Sequence, residues 1–147
     1  MTLDDWLEKI ENLHPVKWDL GLYRVGEVGN RLCVLKPAPV VFLVAGTNGK
    51  GPTCEYLERL CLVKGLRVGK TVSPHFNDFN ERIVVDGQPV SSSEICDAFE
   101  CIENARGEIS LSYFEFAALA ALVIFKNREV EVAVLEVGLG GRLDAMN

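Results

Sequence analysis

Apolar residues recur at helical spacing in the first part of the chain. Trp6, Ile10 and Leu13 fall on one face of a helix, which predicts a short helix over Leu3–Leu13. A second helix is predicted over residues 20–32, although three glycines within this segment disfavour helix. We therefore expect a pair of short helices before the first buried strand.

The next segment changes from helical spacing to a continuous apolar run. Residues 40–45, VVFLVA, are rich in β-branched side chains, which is typical of a strand that helices cover on both faces. An amphipathic helix over residues 53–64 and a short strand over residues 67–72 follow. An Asp-Gly turn between the apolar arms of residues 81–90 then predicts a hairpin.

Two more helices and a last strand complete the pattern. Ser91 and Glu94 have the spacing of a capping box, and Gly107 is placed to end the helix that they begin. A helix over residues 112–126 leads to residues 130–137, an apolar strand interrupted only by Glu136. Strands that alternate with helices favour an α/β fold with a P-loop-type parallel sheet flanked by helices.

The composition of the chain argues against several classes of protein. The 147 residues, 48% of them hydrophobic, amount to one ordered domain. The 21 acidic residues outnumber 15 basic ones, which argues against a nucleic-acid partner. No apolar run approaches the roughly 18 residues of a membrane helix, and the acidic N-terminus is unlike a signal sequence, so we expect a cytoplasmic protein without a membrane partner. The five cysteines form no C-x-x-C pair, which predicts buried, reduced thiols.

A glycine-rich loop stands between the first apolar strand and the helix that follows it. In the loop GTNGKG, residues 46–51, glycines let backbone N–H groups turn towards a phosphate, and the helix N-terminus adds partial positive charge. Lys50 supplies a full charge for the β- and γ-phosphates of a nucleotide. The alternative is a tight turn with a surface lysine.

The loop lacks the Ser or Thr that usually follows the lysine and binds Mg²⁺, because Gly51 and Pro52 stand there. Ser73 and Glu136 lie at the carboxyl ends of two predicted strands, where ligands of open α/β sheets bind. A carboxylate so deep in an apolar strand is costly unless it faces a cation, and oxygen ligands suit Mg²⁺. The alternatives are an ion pair of Glu136 with Arg142 and a turn or N-cap role for Ser73.

Four motifs in order along the chain resemble a known family. They are VAGTNGKG at 44–51, SPHF-x-x-x-NERI at 73–83, SYFEF at 112–116 and LEVGLGGRLDA-x-N at 135–147. Together they resemble the folylpolyglutamate synthase/dihydrofolate synthase family of Mur-type ligases. The resemblance implies that residues 1–147 form a single, incomplete Mur ligase-like ATP-binding domain, that a C-terminal glutamate ligase domain is absent from this chain, and that the enzyme is a monomer.

The resemblance also implies a reaction of folate biosynthesis. The carboxylate of dihydropteroate or of a reduced folate takes the γ-phosphoryl group of the co-substrate ATP, and the amine of L-glutamate attacks the acyl phosphate. Lys50 is the catalytic residue that the resemblance assigns. It assigns Mg²⁺ to Ser73 and Glu136, and the ATP phosphates to Thr47, Asn48, Gly49 and Lys50.

Three short segments are assigned to the pterin substrate by the same resemblance. They are Trp18-Asp19-Leu20, Ser112-Tyr113-Phe114-Glu115 and Leu143-Asp144-Ala145. Aromatic rings there can stack on a flat heteroaromatic ring, and the carboxylates can accept hydrogen bonds from its N–H edge. For Phe114 and Trp18 a role in core packing stays open. His75 is expected only to shape the turn at Ser73.

Departures from the family pattern keep two other functions open. Pro52 stands where the family has Ser or Thr and lacks an N–H for the phosphate, so nucleotide affinity is expected to be lower. Family members are much longer, so we expect an exposed apolar sheet edge, aggregation or pairing, and little ligase activity from this chain alone. The alternatives are another Mur-type ligase, acting on cell-wall peptide precursors, and a non-catalytic remnant that binds nucleotide weakly or docks with a partner.

Overall fold

A computed structural model describes residues 1–13, 22–46, 49–73, 75 and 77–136 of the chain. The α-helices of this part are α1 (Leu3–Leu13), α2 (Leu22–Leu32), α3 (Lys50–Val63), α4 (Ser92–Arg106) and α5 (Tyr113–Asn127). Its strands are β1 (Val40–Val44), β2 (Val68–Thr71), β3 (Ile83–Val85), β4 (Gln88–Pro89) and β5 (Val132–Glu136). A 3-10 turn over Phe79–Arg82 precedes β3. Among these helices, none combines the length and apolarity needed to cross a membrane.

The strands pair in the order β1-β5-β2-β3-β4. β5 lies between β1 and β2 and is parallel to both, which confirms the predicted parallel α/β sheet. β3 and β4 form the predicted hairpin and extend the sheet with antiparallel pairs. Asp86 and Gly87 have φ of 51° and 82°, the left-handed conformation that a tight two-residue hairpin turn requires.

Helices cover the two faces of the sheet unequally. The larger core, which includes Phe99, Phe116 and Phe125, joins the sheet to α1, α2, α4 and α5. α5 packs closely on β2, since a Cβ added at Gly69 would lie 2.4 Å from Cδ1 of Phe125. On the other face, α3 packs against β2 and β5 through a smaller apolar cluster. Its buried members are Cys54, Cys61, Val68, Val132 and Val134.

The prediction that helices cover both faces of the strand VVFLVA is wrong for the described part of the chain. β1 lies at the edge of the sheet, and its side chains are largely exposed: 47% for Val40, 40% for Phe42 and 50% for Leu43. β5, by contrast, is buried at every position, as predicted. The apolar pattern predicts the strand correctly but carries no information on which elements lie over it. The expected exposed apolar edge is confirmed.

Ser91 and Gly107 bound α4 as predicted, but the described hydrogen bonds of the Glu94 carboxylate go to Arg128 and do not complete the predicted capping box. α3 begins earlier than predicted. The Ser91 side chain accepts a hydrogen bond from the Glu94 N–H, and Gly107 follows the last residue of the helix with a φ of 58°. α3 begins at Lys50 rather than at Thr53, so Gly51 and Pro52 lie in its first turn. All the cysteines are free, but Cys33 and Cys101 are exposed rather than buried.

Candidate functional site

The glycine loop runs from the carboxyl end of β1 to the first residue of α3. Gly49 has a φ of 77°, a left-handed conformation that side chains disfavour, and the Thr53 hydroxyl donates a 2.7 Å hydrogen bond to its carbonyl oxygen. Because the N-cap is a glycine, no side chain caps the helix, and the N–H groups of the first turn face the loop. Lys50 therefore stands at a helix N-terminus with the geometry of an anion site.

Ser73 and Glu136 meet at the same edge of the sheet. The Ser73 N–H donates a 3.1 Å hydrogen bond to Oε1 of Glu136, whose exposed fraction is 8%. They come together because Glu136 ends β5 and Ser73 follows β2, and these strands are parallel neighbours. A Cβ on Gly51 would lie 3.8 Å from the other carboxylate oxygen of Glu136. The loop, Ser73 and Glu136 therefore converge, as predicted from their positions in the sequence.

The residues at this edge fit a magnesium ion. None of the salt bridges between described residues involves Glu136, so a buried carboxylate remains whose charge a bound cation would offset. Carboxylate and hydroxyl oxygens are hard donors, and Mg²⁺ completes its shell with water and phosphate oxygens. The described residues contain no group of three or more His, Cys, Asp or Glu side chains suited to a metal. Arg142, the alternative partner of Glu136, lies outside them.

A salt bridge between α3 and β2 was not predicted. Glu58 of α3 accepts a 2.8 Å hydrogen bond from Lys70 of β2; the Glu58 side chain is buried, at 8% exposure, and the Lys70 side chain is largely buried, at 14%. Burial, and next the negative charge of Glu136, raise the pKa of the fully buried Cys54 thiol to about 11. A lysine in an apolar strand is the signal that could have predicted the pair, because such a cation needs a partner.

The predicted pterin segment Ser112–Glu115 forms the start of α5, where it has a capping role. The Ser112 N–H donates to Oε1 of Glu115 at 2.8 Å, and the Glu115 N–H donates to the Ser112 hydroxyl at 3.3 Å. Arg24 also bonds Oε1 of Glu115, at 3.1 Å. Oε2 of Glu115 is buried without a hydrogen-bond partner among the described residues. This free acceptor is compatible with the predicted substrate contact, which stays a prediction.

The aromatic residues of the same segment are packed against each other. Tyr113 and Phe114 form an edge-to-face pair with ring centroids 5.5 Å apart. Tyr113 is buried, and Phe114 is partly buried against the larger core, so core packing accounts for part of its role. The other predicted site residues lie outside the described residues: Trp18, Asp19, Leu20, Thr47, Asn48, Leu143, Asp144 and Ala145.

Arg82 joins the Ser73 turn to the start of α5, a role that was not predicted. Its Nε donates a 2.8 Å hydrogen bond to Nδ1 of His75, and its guanidinium carbon lies 5.7 Å from the ring centroid of Tyr113. Burial, and next the Arg82 charge, lower the pKa of His75, which is neutral in this contact because its Nδ1 accepts. His75 thus has the structural role expected of it. The contact to Tyr113 joins residues far apart in sequence, so no local pattern reveals it.

This chain is similar to known proteins over nearly all of its length. The dihydrofolate synthase/folylpolyglutamate synthase of Escherichia coli strain K12 is 54% identical over 145 residues, which cover 99% of this chain and 34% of that protein. A solved structure of E. coli FolC in complex with DHPP and ADP superposes with a TM-score of 0.98 at 53% identity, over 99% of this chain and 35% of that one. No family model matches the chain.

A second solved structure is similar to this chain over nearly all of its length. The bifunctional folylpolyglutamate synthase/dihydrofolate synthase from Yersinia pestis, complexed with AMPPNP and Mn ion, has a TM-score of 0.95 at 52% identity, over 99% of this chain and 35% of that one. The chain thus spans about a third of the length of the curated relatives that it matches. The resemblance of the motifs is confirmed, and the chain belongs to the dihydrofolate synthase/folylpolyglutamate synthase family.

Proposed function

We propose that this chain supplies the ATP site and the pterin site of an ATP-dependent ligase, which joins L-glutamate to dihydropteroate and to reduced folates. The observation that carries the proposal is the convergence of the Lys50 loop, Ser73 and the buried Glu136 at one edge of the sheet. Relatives of this chain hold DHPP with ADP and AMPPNP with manganese, which supports the same ligand classes here.

The proposed chemistry converts a poor electrophile into a good one. The substrate carboxylate attacks the γ-phosphorus of ATP, and ADP leaves to give an acyl phosphate. The glutamate amine then attacks the acyl carbon, loses a proton and expels phosphate, which leaves an amide bond. Lys50 and the first-turn N–H groups of α3, together with Thr47, Asn48 and Gly49, stabilise negative charge on the phosphates.

Ser73 and Glu136 are the residues that would hold Mg²⁺ at this site. The ion supplies positive charge beside the β- and γ-phosphates when it is bound. Glu136 is preorganised for this role, because the Ser73 N–H fixes one of its oxygens.

The pterin ring is proposed to bind along the segment Ser112–Glu115, with Trp18-Asp19-Leu20 and Leu143-Asp144-Ala145 completing its pocket. The buried Oε2 of Glu115 is available to accept from a pterin N–H. Competition between dihydropteroate and a nucleotide-linked muramyl substrate would separate this proposal from a ligase of cell-wall precursors. We place the complete ligase in the cytoplasm as a monomer, in line with the free thiols and the family resemblance.

Titration of the purified chain with ATP and Mg²⁺ tests the nucleotide half of the proposal. Saturable binding is expected, and Lys50→Ala and Glu136→Gln should each weaken it by about tenfold or more, because each removes a charge from the phosphate and metal contacts. Lys126→Ala, at the far end of α5, is the matched control and should leave the affinity unchanged. No saturable binding by the wild type would contradict the proposal.

A non-catalytic remnant is the second candidate, and Pro52 favours it. This residue lies in the first turn of α3, where it offers no N–H to a phosphate. Since the relatives are about three times longer, we expect this chain to bind its ligands without completing ligation. ADP release that depends on ATP, dihydropteroate and glutamate together would overturn that expectation.

A further inference from the structure

Arg82 lies between the two halves of the candidate site. Its carbonyl oxygen accepts a 3.1 Å hydrogen bond from the N–H of Val72, the residue directly before Ser73. Its guanidinium packs on the rings of Phe79 and Tyr113, 5.5 and 5.7 Å from their centroids. One end of this residue therefore contacts the strand that leads to the metal edge, and the other end contacts the predicted pterin segment.

The charge of Arg82 is not offset by a carboxylate in the described part of the chain. The residue is only 9% exposed, yet it takes part in none of the salt bridges there. Towards the other described residues its side chain makes one hydrogen bond, from Nε to the neutral His75. Other arginines behave differently: Arg106 and Arg128 each bond a glutamate through two nitrogens. A buried cation with no carboxylate partner among the described residues is costly, and an anionic ligand would offset that cost.

The geometry of the guanidinium suits a planar anion. Contacts with two rings and the bond from Nε hold the guanidinium in place, and no hydrogen bond from its terminal N–H groups to another described residue is seen. Such a fork matches the two oxygens of a carboxylate, which it binds more strongly than a neutral acceptor.

The substrate of the proposed function carries an anion of this kind. It has a pterin ring at one end and a carboxylate at the other, and the carboxylate must reach the γ-phosphate. A ring at Tyr113 and phosphates at Ser73 place the carboxylate between them, where Arg82 lies. A carboxylate that approaches Glu136 and the phosphates is repelled, and a cation at this point offsets the repulsion.

We propose that Arg82 binds the carboxylate of the pterin substrate and positions it for phosphorylation. The inference deepens the proposed function and rests on it. It makes Arg82 the residue that distinguishes a carboxylated pterin from one without a carboxylate.

Binding of two ligands to the chain tests the proposal. The ligands are 7,8-dihydropteroate and its analogue with hydrogen in place of the carboxylate. The wild type should bind dihydropteroate about tenfold or more tightly, the effect of charge-assisted hydrogen bonds. Arg82→Gln should abolish that preference and leave the analogue's affinity within about twofold, whereas Arg82→Lys should keep part of the preference because it keeps the charge. Arg128→Gln is the matched control and should change neither affinity.

Further arms of the experiment separate the possible anions. The affinity of Arg82→Gln for ATP with Mg²⁺ should equal that of the wild type, and excess L-glutamate should not displace dihydropteroate. Loss of ATP binding, or displacement by glutamate, would assign Arg82 to a phosphate or to the amino acid and overturn the proposal.

The remaining outcomes decide between the inference and the function on which it rests. Equal wild-type affinity for the two ligands, or equal weakening of both by Arg82→Gln, would overturn the proposed role of Arg82. Neither result would contradict the proposed pterin site. A wild type that binds ATP but neither pterin ligand removes the pterin half of the proposed function as well. If Arg82→Gln does not fold, the ratio of the affinities for the two ligands is compared between the wild type and Arg82→Lys. A ratio that Arg82→Lys leaves unchanged would then overturn the proposal.

Discussion

Buried charged residues in and around the sheet differ in how their charge is offset. Glu136 accepts a backbone hydrogen bond, Glu58 pairs with Lys70, and Arg82 stacks on aromatic rings and bonds His75. A buried charge that loses its partner is strongly destabilising, while an exposed pair contributes little. The cost of a substitution in unfolding free energy therefore depends on whether it leaves a buried charge without a partner.

Lys70→Met is predicted to destabilise the fold by about 3–5 kcal/mol, because it leaves the Glu58 carboxylate buried and unpaired. Urea denaturation of the variant and the wild type measures this difference. Adding Glu58→Leu should recover most of the loss, since the two substitutions together leave no orphaned charge. Arg59→Ala, which breaks the exposed pair with Glu55, is the control at about 0.5 kcal/mol. A Lys70→Met cost no larger than that of the control would refute the prediction.

The Cys54 thiol predicts a loss of stability at high pH. Its pKa in the folded state is about 11, raised from 9.0 by burial. Below pH 9 both states hold the proton, so the thiol's contribution is fully present there. As the pH rises from 9 to 11 the unfolded state loses its proton first, and the contribution falls by on the order of 2 kcal/mol.

The difference in unfolding free energy between the wild type and Cys54→Ala isolates this effect, because the other cysteines titrate in both proteins. That difference should shrink between pH 9 and 11. A difference that stays constant over this range would mean that the thiol is not shielded from water.

At the scale of elements, local rules account for where helices and strands begin and end. The capping box of Ser112 and Glu115 begins α5, and Ser91 begins α4 in a related way. The two caps differ in burial, because Ser112 is fully buried and Ser91 is exposed. Loss of the cap therefore leaves an N–H without water at α5 only.

Ser112→Ala is predicted to cost about 2 kcal/mol, the upper end for an N-cap, because the Glu115 N–H would be buried without a partner. Ser91→Ala is the matched control and should cost about 1 kcal/mol, since water can replace the lost hydroxyl. Thermal and urea denaturation give both values. The opposite order would show that burial of the cap has no energetic consequence.

Most elements, and part of the site, follow from sequence. Hydrophobic period and capping residues predict all five helices of the described part, and the rule that ligands bind at strand ends predicts that Ser73 and Glu136 are neighbours. The start of α3 is misplaced because Gly51 and Pro52 are poor helix formers, although proline is accepted in a first turn. The position of Arg82 depends on tertiary packing, which a local pattern does not contain.

At the scale of the whole molecule, β1 exposes four consecutive apolar side chains, Val40, Val41, Phe42 and Leu43, at the edge of the described sheet. β1 pairs with β5 on one side, and in the part that the structure describes its other side carries no strand. An apolar strand edge of this kind is a template for pairing with another chain. The same exposure would be removed in any assembly that adds a strand next to β1.

The chain is therefore predicted to self-associate as its concentration rises, and Phe42→Lys should shift it towards monomer by placing a charge on the exposed strand. Sedimentation velocity over a range of concentrations measures the distribution. Val63→Lys changes an exposed apolar side chain outside the sheet and should have no such effect. Association that is the same in all three proteins would exclude β1 as the contact.

The missing side chain at Gly69 has a mechanical consequence. Because the Phe125 ring lies directly against the β2 backbone, any side chain at position 69 would push α5 away from that strand. β2 leads to the edge where we propose that the phosphates bind, and α5 begins at the segment that we propose for the pterin ring. A side chain at position 69 would therefore change the separation between these two proposed parts of the site without touching either of them.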